Sequence, residues 1–182
     1  MELHFFGPAG GLDRFPKEYE LRTRCNAATA APLDPFVLST SYAIERVWIL
    51  DLHFDHVGVA ALEIGLKGSS VRDVRLLTGT RKDDLKPLTA RLNAVRLPAN
   101  TPAAAQTPQL ASVEWRDFLD SKSYPFPHDR FALVDGELWH FGHTVGGAGK
   151  CLFACSGPWD AQATEAIDFY EGLWQKFGPA RR

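Results

Sequence analysis

A histidine and a cation stand two apart in His128-Asp129-Arg130-Phe131-Ala132-Leu133-Val134-Asp135. On an extended strand that spacing projects both side chains to one face. Phosphodiester chemistry can use such a pair. The imidazole attacks phosphorus or moves a proton, and the cation holds the phosphoryl oxygens as charge builds in the transition state. Asp135 lies at an odd offset from His128, so on an unbroken strand it faces the other side. There it anchors the strand and its hairpin and does not touch substrate.

Such residues need rigid elements behind them, and the chain alternates strand and helix signals. Val47-Trp48-Ile49-Leu50 is a short apolar run ending at Asp51, as a buried parallel strand would. Val57, Ala60, Ala61, Ile64 and Leu66 fall close to a helical stripe over residues 57–66. Val74 to Leu77 reads as a second strand closed by Thr78-Gly79. Leu85, Leu88, Leu92 and Val95 repeat at spacings of three and four, so a helix is expected over 81–95, with Pro87 tolerated near its first turn. Residues 110–116 alternate as a half-exposed strand does. Phe131 to Val134, the turn signal Asp135-Gly136 and Leu138 to Phe141 form a hairpin. Cys151 to Cys155 is a further strand. Asp160 caps a final helix over 161–177, with Ile167, Tyr170, Trp174 and Phe177 on one face. This order predicts an α/β fold: a mixed β-sheet flanked by helices. Residues 22–35 read as an irregular connection or weak helix, and 97–109, with three prolines and no charge, as a surface loop.

Composition sets outer bounds. With 22 acidic and 20 basic residues the formal charge is −2, which excludes a protein that coats nucleic acid by charge alone but leaves room for a local basic site. No apolar run is long enough for a membrane span, and Met1 to Phe6 lacks the basic start and apolar stretch of a signal peptide. Cys25, Cys151 and Cys155 are too sparse for a disulfide framework and fit reduced thiols in a cytoplasmic protein, the last two packing in the core. The tryptophans read as packing, Arg72 and Arg75 as a solvated face, and Arg181-Arg182 as a frayed tail.

The segment around His128 resembles the phospholipase D superfamily. Its signature is H-x-K-x-x-x-x-D, and His128, Arg130 and Asp135 occupy the three fixed positions, with arginine in place of lysine. A divergent branch is similar further along: His128-Asp129-Arg130-Phe131, Asp135-Gly136, Trp139-His140-Phe141-Gly142, Gly149-Lys150 and Phe153-Ala154-Cys155-Ser156 follow its pattern. The resemblance covers about residues 44–177. It implies a phospholipase D-like α-β-α sandwich over 44–182, preceded by an extension, 1–43, of open structure. It also implies a phosphodiesterase, a nuclease on DNA or RNA, working through a phosphohistidine without metal or cofactor. The resemblance makes His128, Arg130 and Asp135 the catalytic set. Because one motif is half a site, two chains would meet as a homodimer with both His128 rings on one phosphate. Where the family carries G-S-x-N this chain has Gly142-His143-Thr144-Val145: His143 and Thr144 can donate to phosphate beside Arg130, Val145 supplies no amide, and Lys150 returns an ammonium. The altered stretch also admits a catalytically silent module of the same fold that grips nucleic acid by its phosphate pocket.

A third expectation competes. Asp51-Leu52-His53-Phe54-Asp55-His56 looks like the H-x-H-x-D-H motif of metallo-β-lactamase-fold zinc hydrolases, and Gly142-His143-Thr144-Val145-Gly146 like their later ligand turn. The first ligand would be Asp51 in place of a histidine, and few strand signals precede it. The same residues serve as a strand end and a strand–helix loop, so no metal ligand is assigned.

Overall fold

The structure is a computed structural model that describes residues 2–7, 10–12, 34–67, 69–79, 82–96, 113–117, 128–146 and 153–177. The elements run β1 (Glu2–Gly7), β2 (Gly10–Leu12), α1 (Asp34–Tyr42), β3 (Arg46–Asp51), α2 (His56–Leu66), β4 (Asp73–Thr78), α3 (Lys82–Arg96), β5 (Glu114–Arg116), β6 (Arg130–Val134), β7 (Glu137–Phe141), β8 (Phe153–Asp160) and α4 (Ala166–Phe177). The strands form one eight-stranded sheet in the order β2-β1-β8-β7-β6-β3-β4-β5. β3, β4 and β5 run parallel, linked by helical crossovers, and every other neighbour is antiparallel. The α/β fold with a mixed, helix-flanked sheet is therefore present. Among the described residues no helix is long and apolar enough to cross a membrane.

Strand alternation divides the core between the two faces of the sheet. Val47 and Ile49 of β3, Val74 and Leu76 of β4, Ala132 and Val134 of β6 and Trp139 and Phe141 of β7 pack with Phe36 of α1, Val59, Leu62 and Leu66 of α2, and Leu85 and Leu92 of α3. On the other face Trp48, Leu50, Leu77, Leu133 and Leu138 meet Tyr170, Leu173 and Trp174 of α4. β1 and β2 extend the sheet beyond β8, and α1 sets Phe36 edge-on to Trp139 and Phe141, 5.9 and 5.1 Å between ring centres. Gly65 permits the α1–α2 crossing, since a Cβ there would lie 2.7 Å from that of Thr40.

Three local expectations are corrected. The buried stripe of α2 runs through Val59, Leu62 and Leu66, whereas Ala60 and Ile64 face solvent. Its phase is set by Asp55, whose carboxylate caps the helix by accepting from the N–H groups of Val57 and Gly58 at 2.8 and 3.4 Å. Pro87 lies past the first turn of α3, at an exposed position. The last helix begins at Ala166 because Asp160 caps a separate turn, accepting from Gln162 and Ala163 N–H at 2.9 Å each. Glu165 ends that turn in the left-handed region, φ 57°. The expected loop 97–109, the connection 22–33, and residues 110–112 lie outside the described residues.

Candidate functional site

Antiparallel register brings the distant motifs together. Leu50 of β3 pairs with Phe131 of β6, so Asp51 comes opposite Arg130 one step on. Both turn to the face covered by α1–α3. Arg130 Nε lies 3.6 Å from Asp51 Oδ1, and Asp51 is wholly buried. Asp51 also accepts from His53 N–H at 2.9 Å and from Val145 N–H at 3.2 Å. One carboxylate thus ties the end of β3, the start of β6 and the Gly142–Val145 turn. Burial pushes the Asp51 carboxyl above its ordinary value, while the two N–H groups and Arg130 work against that rise. Arg130 Nε and the hydroxyl of Thr144, the residue before Val145, are buried and make no hydrogen bond.

Strand β6 begins at Arg130, so His128 and Asp129 precede it in a bend. The expectation of an unbroken strand carrying His128 and Arg130 on one face is corrected: pairing across to β7 starts only at Arg130, opposite Phe141. Asp129 leans to the α4 face. Phe131 and His140 are register partners there, which makes Asp129 a diagonal neighbour of His140. His140 Nε2 lies 3.1 Å from Asp129 Oδ2, without hydrogen-bond alignment. His128 Nδ1 is 3.1 Å from Asp129 Oδ1, and the His128 side chain is 94% exposed. The hydrogen bond from His128 holds the Asp129 carboxyl below its ordinary value; partial burial opposes this and His140 adds to it. His140 Nδ1 in turn stands 3.2 Å from Ser156 Oγ. A one-residue shift between β7 and β8, after Leu138, sets Ser156 opposite His140.

At the other end of β6, Asp135 occupies the hairpin turn in the left-handed region, φ 50°, which aspartate tolerates better than most residues. Its carboxylate accepts from the N–H groups of Ile44, Glu45 and Arg46 at 3.0, 2.8 and 2.9 Å, and its own N–H donates to Arg46 O at 3.0 Å. Asp135 clasps β6 to the start of β3, far from His128.

His143 is exposed, Thr144 and Val145 are buried, and Lys150 lies outside the described residues. Asp129, His140 and Asp51 are the functional candidates that sequence reasoning missed. Asp129 carried a signal in its position between the two motif residues and His140 in the quoted Trp139-His140-Phe141-Gly142 stretch, whereas Asp51 was legible as a strand end and as a misfit in the competing metal motif, not as the partner of Arg130.

The competing motif does not converge. Asp51 and Asp55 are held by backbone donors, and His53 and His56 are exposed on a shallow hollow shared with Asp84, Pro87 and Leu88. Among the described residues no group of three histidine, cysteine, aspartate or glutamate side chains is arranged to hold a metal ion. Cys155 is buried, and burial pushes its thiol up to about 12, as suits a packing residue. Arg75 is not a solvated cation: it lies over both Trp48 and Trp174, 4.6 and 5.3 Å from the ring centres, and pairs with Asp73 at 2.8 Å.

No family model and no curated protein matches the chain. Among solved structures it is similar to TrmBL2, described as an archaeal chromatin protein with a novel mode of DNA binding. The two are 11% identical with a TM-score of 0.44, over 80% of this chain and 49% of that one, so the chain spans about half the length of that structure. A likeness at this level assigns neither activity nor partner.

Proposed function

We propose that this chain is a phospholipase D-like phosphodiesterase domain that cleaves nucleic acid through a phosphohistidine, with two copies sharing one site. The observation that carries the reading is the convergence around Asp51. Arg130 and the Gly142–Val145 turn, distant in sequence, are drawn to one buried carboxylate, and the exposed His128 lies two residues before Arg130 in the chain. Arg130 and Thr144 each hold a buried polar atom without a hydrogen bond.

In this mechanism His128 Nε2 of one copy forms a bond to phosphorus as the bond to the leaving oxygen breaks. The second copy's imidazole gives that oxygen a proton. Water then attacks the phosphohistidine, losing its proton to the second imidazole, and the nitrogen–phosphorus bond breaks. Arg130 meets the charge on the equatorial oxygens, with His143 and Thr144 as further donors. Asp135 acts only by fixing the strand.

A second reading, a silent phosphate-binding module, is favoured by two observations: Arg130 Nε faces Asp51, and the buried Val145 brings no side-chain amide.

The test is turnover of bis(p-nitrophenyl) phosphate and of a labelled oligonucleotide by the full chain in EDTA. The enzyme reading expects cleavage that falls by about 10³-fold or more in His128→Ala. Retention of the oligonucleotide without cleavage, lost in Arg130→Ala, selects the silent module. A chain that neither cleaves nor binds overturns both.

A further inference from the structure

His128 is not alone at the end of β6. Its Nδ1 faces one oxygen of Asp129, the other oxygen faces His140 Nε2, and His140 Nδ1 faces the Ser156 hydroxyl, at 3.1, 3.1 and 3.2 Å. Exposure falls along this row: His128 is 94% exposed, Asp129 44%, His140 25%, and Ser156 is buried. The inner members are fixed by sheet register, since His140 pairs with Ser156 across β7–β8 and with Phe131 across β6–β7. His140 is also flanked by two aromatic rings, Phe131 at 5.3 Å and Trp159 at 6.4 Å between centres.

The geometry points to Asp129 and His140 as positioning residues for His128, an assignment that rests on the phosphodiesterase reading. One arrangement of protons is consistent with every contact in the row. The Ser156 hydroxyl donates to His140 Nδ1, His140 Nε2–H faces Asp129 Oδ2, and His128 Nδ1–H donates to Asp129 Oδ1. The lone pair of His128 is then confined to Nε2, which projects to solvent where a phosphodiester can reach it. Asp129 accepts throughout and never needs to take up a proton. Its negative charge steadies the imidazolium that forms once Nε2 is bonded to phosphorus, and His140 prevents the carboxylate from swinging away. A lone exposed histidine would spread over both tautomers and several rotamers, whereas this one is held through an aspartate by residues built into the sheet.

The test has two independent readouts on the full chain. The first is the tautomer of His128, read from the ring nitrogen shifts by nitrogen-15 NMR. The wild type holds the Nδ1–H form, and Asp129→Asn, which keeps shape and loses charge, gives a mixture. The second is kinetic. With bis(p-nitrophenyl) phosphate, Asp129→Asn lowers kcat about 100-fold or more with KM within about threefold, Asp129→Glu restores part of it, and His140→Ala costs about 10-fold with partial rescue in His140→Gln. If wild type does not turn over but His128 still holds the Asp129-dependent tautomer, the phosphodiesterase reading fails and the positioning row stands. A His128 tautomer unchanged in Asp129→Asn, or kcat unchanged in that variant, overturns the assignment. So does tight one-to-one zinc binding that Asp129→Asn abolishes, which would make the same three side chains a metal site.

Discussion

The two ends of β6 carry aspartates from one short motif, and they do opposite work. Asp135 is saturated by three backbone N–H groups and sits in a turn that few other residues would tolerate. Nothing is left over for chemistry. Asp129 is hydrogen-bonded to one imidazole and faces a second, and the outer one keeps a nitrogen facing solvent. A carboxylate on backbone donors builds a fold, whereas a carboxylate on titratable side chains biases their tautomers and charges. Asp51 stands between these cases: it is bonded to backbone like Asp135 and turned to a site cation like a functional residue.

Substitutions separate these roles, and the largest effect belongs to Asp51. Asp51→Ala strips two N–H groups and leaves the Arg130 guanidinium without a counter-charge in a largely buried place. A loss of about 3 kcal/mol in urea unfolding is expected. A loss under about 1 kcal/mol would mean that Arg130 swings to solvent and that Asp51 does not organise the site. Asp135→Ala follows, at about 2 kcal/mol, because water reaches the exposed Ile44 and Glu45 amides but not the hairpin clasp as a whole. Asp135→Asn should cost less, since asparagine accepts the left-handed backbone and keeps one acceptor oxygen. If Asp135→Asn lowered kcat without lowering stability, the division between the two ends would fail.

Acid titration sharpens the contrast with a smaller effect. Asp129 is held below its ordinary value of 3.8, so its stabilisation is present above 3.8 and lost as pH falls through the lower folded value. Asp51 is raised above 3.8, so the folded state binds the extra proton, and stability falls as pH rises from 3.8 through the folded value. Asp129→Asn should therefore flatten the acid arm of a stability–pH curve below 3.8, and Asp51→Asn the arm above it. The Asp129 effect is a few tenths of a kcal/mol, roughly, because that side chain is 44% exposed and screened by solvent. Smallest of all is Arg91→Ala on α3. It breaks an exposed pair with Glu63 at 2.6 Å and should shift stability by about 0–0.5 kcal/mol with no change in turnover.

Much of the scaffold is legible in the sequence. Apolar runs over Val47–Leu50 and Phe131–Val134 mark β3 and β6, and Val74–Leu77, interrupted at Arg75, marks β4, because strands buried on both faces need largely apolar side chains. Asp135-Gly136 marks the hairpin, since a two-residue turn demands residues that accept positive φ. The anchoring role of Asp135 was legible from its odd offset in the motif. The start of α4 was not: an aspartate cap looks the same whether it opens a long helix or a single turn, and Glu165 gives no local sign of its left-handed backbone.

The sequence by itself determined which segments alternate between strand and helix, and which residue types were available at the end of β6. Both follow from local periodicity and side-chain chemistry. Only the tertiary structure decided who meets whom. Antiparallel register between β3 and β6 sets Asp51 against Arg130, and the start of pairing at Arg130 sends Asp129 to the opposite face. The shift after Leu138 then brings Ser156 beside His140. Register couples residues that are distant in the chain, and a one-residue slip reverses every face. That is why Asp129 and Arg130, neighbours in the motif, are tied to opposite faces of the sheet, while His128 lies beyond the paired strand.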